Sequence, residues 1–100
     1  MYWLASMSAL PLTPEQINDL ATSLPGWPVV NGKLHREFRF IDFVEAFGFM
    51  AKVALIAEAM GHHPEWSNIW NRVTIDLVTH DTGGLSNLDV EMAQRIDAAI

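Results

Sequence analysis

The residues of this chain with the most chemistry in them are His62, His63 and His80, set in and after the stretch Glu58-Ala-Met-Gly-His62-His63-Pro64-Glu65-Trp66. Imidazole titrates near neutral pH, so a group of rings can hold a proton donor and a proton acceptor at the same time. That is acid–base equipment. Other uses of the same side chains stay open at this level. His62, His63 and His80 with Glu58 or Asp81 supply nitrogen and oxygen donors for a metal ion. However, neighbouring side chains on an extended backbone point to opposite sides, so His62 and His63 do not readily chelate one ion, and no metal is expected. The pair could also be structural histidines at a turn, satisfied by backbone groups. Residue types alone do not separate that reading from an acid–base site. A nucleophilic triad has no support, because there is no cysteine and no serine in a nucleophile-elbow context. Gly83-Gly84 reads as a turn rather than a phosphate cradle.

The elements that must position these rings can be followed along the chain. Thr13-Pro14-Glu15-Gln16 has the form of a capped helix start, with Pro14 at the first helical position and Gln16 closing the capping box. Pro25-Gly26 ends that helix. Trp27–Val30 and Lys33–Phe40 flank Asn31-Gly32, a pair that tolerates positive φ at both positions and so predicts a type I′ hairpin. Leu34, Phe38 and Phe40 alternate with His35, Glu37 and Arg39. His35 therefore reads as an ordinary surface histidine on the wet face.

Asp42 caps a long helix from about Phe43 to Met60 that carries two apolar stripes. Phe43, Phe47, Met50, Ala54 and Ala57 form one; Phe49, Val53, Ile56 and Met60 form the other. One stripe should face a sheet and the other a partner subunit. Glu58 projects away from the solvated side marked by Glu45 and Lys52. Gly61 supplies the helix stop, and Pro64 pins His63 to an extended backbone. Glu65–Trp70 and Arg72–His80 predict a second hairpin turning near Asn71, with Val73, Ile75, Leu77 and Thr79 on one face and His80 on the other. Ser86 and Asp89 form another capping box, and Leu88, Met92, Ile96 and Ala99 stripe the last helix. The order α-β-β-α-β-β-α predicts an α+β two-layer sandwich, a four-stranded antiparallel sheet with helices on one face and the other face open.

The sequence has 100 residues, half of them hydrophobic, so residues 12–100 are expected to form a single domain with a sizeable core. Residues 1–11 are expected to be a poorly ordered leader. The absence of cysteine suits a reducing compartment, and the cytoplasm is the expected location. A formal charge of −6 would repel phosphate backbones, which argues against direct nucleic-acid binding. No apolar run is long enough to span a bilayer.

The pattern Glu58-x3-His62-His63-Pro64-x5-Trp70-x9-His80-x8-Asp89 resembles the signature of the pterin-4a-carbinolamine dehydratases, a likeness extending from about Leu12 to Ile100. The resemblance implies dehydration of a 4a-hydroxytetrahydropterin, the spent cofactor of aromatic amino acid hydroxylases, to the quinonoid dihydropterin. It also implies that His62 and His80 act as acid and base in an order the sequence does not fix, and that His63 holds the pterin. By the same likeness Glu58 assists, Pro64 and Trp66 shape the pocket, and Asp89 contacts the site. No cofactor is implied beyond the pterin substrate. A homodimer or homotetramer is. Some relatives serve as dimerisation cofactors of a homeodomain transcription factor, and others have been linked to molybdopterin metabolism. The chain departs from the family at Ser67 and Trp70, where relatives often carry other aromatics, and the apolar leader has no counterpart.

Overall fold

Thr13 accepts the backbone N–H of Gln16 while the Gln16 side chain accepts the N–H of Thr13, and the helix α1 (Pro14–Ser23) grows from that box. In the computed structural model, which describes residues 7–100, α1 is followed by β1 (Val29–Val30) and β2 (Lys33–Arg39), then α2 (Phe43–Met60). The strands β3 (Glu65–Ile69) and β4 (Arg72–Leu77) come next, then a 3-10 turn at His80–Thr82, then α3 (Asn87–Ala98). The strands form one antiparallel sheet in the order β1-β2-β4-β3. Asn31 and Gly32 have φ of 52° and 77°, the two positive values the hairpin turn requires.

Alternation along the central strands decides which layer is buried. Leu34 and Phe38 on β2, with Val73, Ile75 and Leu77 on β4, meet Phe49 and Val53 of α2, Met92 and Ile96 of α3, and Leu20 and Leu24 of α1. All three helices therefore lie on one sheet face, as the element order required. Arg36 is the one charged residue that β2 turns toward the helices. Its guanidinium lies over the rings of Phe38 and Trp27, and Asp97 of α3 binds both it and the indole N–H of Trp27.

On α2 the stripe containing Phe49 and Val53 faces the sheet, joined by Ala46 and Ala57. Ala57, assigned by sequence to the other stripe, lies one turn beyond Val53 and is buried with it. Phe43, Phe47 and Ala54 stay exposed, flanked by Val44 and Leu55. Four strand ends also differ from expectation: β1 begins at Val29 rather than Trp27, and β2 stops at Arg39 rather than Phe40. β3 stops at Ile69 because Trp70, with φ of 50°, joins the turn. β4 stops at Leu77, and Thr79 bridges Gly84, so His80 opens the 3-10 turn rather than ending the strand.

The expected leader falls mostly on residues 1–6, which lie outside the described residues. Ser8 and Leu10 hydrogen-bond to the side chain of Asn87, and Pro11 bridges Ser86, so this segment runs against the start of α3. Among the described residues no helix is long and apolar enough to cross a membrane.

Candidate active site

The site begins where α2 stops. Gly61 adopts the left-handed conformation, φ 64°, so the N–H of His62 donates back to the carbonyl of Ala57 and that of Gly61 to Glu58. This paired closure is a Schellman motif, and it fixes His62 two residues past the last residue of α2. His62 is only about 8% exposed. Its Nε2 stands 2.6 Å from Oδ1 of Asp89, which is fully buried.

Asp89 does two jobs. Its Oδ2 accepts the N–H of Ser86, closing the α3 capping box, and also the hydroxyl of Thr79 at 2.8 Å. With that proton committed, the Thr79 oxygen accepts the Ser86 hydroxyl, 2.6 Å away, and the Ser86 oxygen accepts the N–H of Leu88. Every proton in the chain from Leu88 to Asp89 thus has one direction. A carboxylate only accepts, so the His62 ring carries a proton on Nε2 toward Asp89.

The other two rings are exposed and each has a carboxylate partner. His63 Nε2 lies 3.0 Å from Oε1 of Glu58, in the last turn of α2. His80 Nε2 lies 3.0 Å from Oε2 of Glu65, at the start of β3. The other Glu65 oxygen binds the Lys33 ammonium. Those two hydrogen bonds, Lys33 first and then His80, hold the Glu65 carboxyl below its ordinary value, and the same bond holds Lys33 above its own.

His62, His63 and His80 line one cleft with Gly61, Val78, Thr79 and Asp81, with a volume of about 240 Å³. It is smaller than the roughly 300–1,000 Å³ clefts that enclose drug-sized ligands, which suits a small heterocycle. Glu58 and Asp89 do not line it; they hydrogen-bond to His63 and His62, which do. Pro64 also lies outside the lining, and Trp66, paired with Ile75 across the sheet, packs against the helix-side core. Among the described residues no three His, Asp or Glu side chains converge to hold a metal ion. Sequence reasoning missed Thr79, Ser86, Glu65 and Lys33. Thr79 carries one signal, a hydroxyl that continues the buried alternation of Val73, Ile75 and Leu77 and so needs a partner.

The family model for pterin 4 alpha carbinolamine dehydratase matches residues 10–99. A relative from Prochlorococcus marinus (strain MIT 9303), named as a pterin-4-alpha-carbinolamine dehydratase, is 55% identical over 91 residues, 91% of this chain and 95% of the relative. One of the same name from Synechococcus sp. (strain WH7803) is 61% identical over 79 residues, 79% of this chain and 85% of the relative. The crystal structure of a transcriptional coactivator/pterin dehydratase from Brucella melitensis superposes with a TM-score of 0.83 at 46% identity, covering 88% of this chain and 96% of that one.

Proposed function

The chain belongs to the pterin 4 alpha carbinolamine dehydratase family, and from that premise we propose that it is a hydro-lyase converting a 4a-hydroxytetrahydropterin to the quinonoid dihydropterin and water. The observation that carries the reading is the convergence of His62, His63 and His80 on one small cleft, each tied through Nε2 to a carboxylate. In the reaction the C4a hydroxyl takes a proton and leaves as water. N5 gives up its proton, and its electron pair closes the C4a=N5 bond. One imidazole must donate and another accept, and His62 and His80 are assigned these roles in either order. His63 holds the pterin ring, with Glu58 orienting His63 and Asp89 orienting His62. Solvent exchange then returns each ring to its starting state. Recycling of the tetrahydropterin used by aromatic amino acid hydroxylases is the proposed setting, in the cytoplasm.

The reading is tested by stopped-flow absorbance on freshly generated 4a-hydroxytetrahydropterin. Wild-type protein should accelerate dehydration, and the His62→Ala, His80→Ala double variant should not. Equal rates for the two would remove the mechanism.

The apolar side of α2 supports assembly into a homodimer or homotetramer, since Phe43, Val44, Phe47 and Leu55 form an exposed face that a second copy would cover. The same face also favours a second reading, a protein-binding module of the coactivator kind named for the Brucella structure. A pull-down returning a hetero-partner from a chain without dehydratase turnover would select that reading.

A further inference from the structure

Leu34 and Phe38 of β2 turn to the helices, so Lys33 and His35 stand on the open face of the sheet. The register sets Leu34 opposite Leu77, and Glu65 opposite Asp76, so Lys33 and Glu65 flank β4 from its two sides. The Lys33 ammonium reaches across β4 to Oε1 of Glu65, and Oε2 of the same carboxylate meets His80. Asp76, the other acid that attracts Lys33, is held by His35 at 2.7 Å. Glu65 is left as the ammonium's hydrogen-bond partner.

Resting on the dehydratase reading, we propose that Glu65 is a positioning residue for His80 and that Lys33 fixes Glu65, so that β2 sets the orientation of an imidazole it never touches. The need for such a device follows from exposure. The His80 side chain is 75% exposed and has none of the burial that holds His62. A ring so placed turns freely unless something outside it fixes one nitrogen. Glu65 does this by accepting the Nε2 proton, which leaves Nδ1 for the substrate. Lys33 in turn restricts the carboxylate by occupying its second oxygen. Stability is a poor explanation for the same contacts. The Lys33 and Glu65 side chains are 34% and 44% exposed, and ion pairs of that kind contribute little to folding. Lys33 and His80 also keep the Glu65 carboxyl below its usual value, so the acceptor stays charged through the neutral range.

The experiment compares wild type, Glu65→Ala, Glu65→Gln and Lys33→Met by NMR of the histidine rings and by steady-state turnover of 4a-hydroxytetrahydropterin. Far-UV circular dichroism checks that each variant is folded. In wild type the His80 Nε2–H should give a downfield signal and the ring carbons should relax as an ordered group. In Glu65→Ala the signal should vanish and kcat should fall about tenfold with KM little changed, the effect of losing one oriented hydrogen bond to a charged group. Lys33→Met should show a smaller change in the same direction. Glu65→Gln, which keeps an acceptor oxygen, should recover part of both. The His62 signals should be the same in all four proteins. Wild-type protein without turnover would overturn the dehydratase reading. A His80 ring equally ordered in all four, or a Glu65→Ala kcat equal to wild type, would overturn this inference alone.

Discussion

Oδ1 of Asp89 lies 2.6 Å from Nε2 of His62, and the carboxylate that makes this bond is also the one that closes the capping box of α3. A helix start and the His62 ring are therefore fixed by a single side chain. Asp89→Asn should separate the two roles. The amide oxygen can still accept the Ser86 N–H, but its NH₂ then faces His62 and requires the opposite tautomer. Turnover should fall by ~10²-fold or more while KM changes little, because the proton would sit on the wrong nitrogen. Steady-state kinetics checks this, and equal kcat would remove the orienting role.

Thr79→Val keeps the shape of the side chain and deletes the hydroxyl that donates to Asp89 and accepts from Ser86. Two buried polar groups lose a partner at once. The expected cost is about 1–3 kcal/mol of stability, read from urea unfolding at constant m-value. Loss of stability with His62 turnover intact would mean that Thr79 supports the fold alone.

His63→Ala should abolish detectable turnover and weaken pterin binding, since His63 is assigned to hold the ring. His62→Ala and His80→Ala should each lower turnover by ~10²-fold or more with the fold intact. Activity should survive a chelator. Single-turnover absorbance and ligand titration separate binding from chemistry, and a His63→Ala protein that binds pterin as tightly as wild type would contradict its role.

The Lys33–Glu65–His80 chain also has a defined pH window. Glu65 is shifted down, so its contribution is present above the ordinary carboxyl value of 4.5 and is lost as pH falls through the folded value. Lys33 is shifted up, so its contribution is present below 10.5 and is lost as pH rises through the folded value. The bridge should therefore be intact between those limits. Carbon-13 shifts of the Glu65 carboxyl and the Lys33 ε-carbon, followed by NMR, should show both displacements, and each should collapse toward the ordinary value when the partner is replaced.

Phe47→Glu places a charge on the exposed apolar side of α2 without touching the core, where Phe49 and Val53 do the packing. Sedimentation velocity should show a smaller assembly than wild type with unchanged circular dichroism. An unchanged sedimentation coefficient would move the subunit contact elsewhere.

Much of this arrangement was legible because it is local. Thr13 with Gln16, Ser86 with Asp89, Asn31-Gly32 and Gly61 are each read from neighbours a few residues apart, and each does in the structure what its spacing implies. The convergence of the histidines followed from the family likeness rather than from spacing, since nothing near His62 in the chain says where His80 will lie. The parts that were not legible depend on register between strands. Lys33 and Glu65 belong to strands that do not pair, and only the placement of β4 between them brings the two together. Asp89 was half visible. Its capping oxygen is announced by Ser86, whereas the oxygen facing His62 depends on how α3 packs against the end of α2. Alternation continues to His80 and so predicts a longer β4 than the structure forms, while the Thr79 to Gly84 bridge has no local mark in the sequence.

The three carboxylate tethers of the cleft differ in how much water reaches them. Dissolved ions weaken attractions between exposed charges and barely touch those sealed inside. Glu58 and Glu65 therefore hold their rings under conditions set by the surrounding medium, whereas Asp89 holds His62 indifferent to it. Raising ionic strength should loosen the two outer rings and spare the inner one, so the cleft is part rigid frame and part adjustable rim.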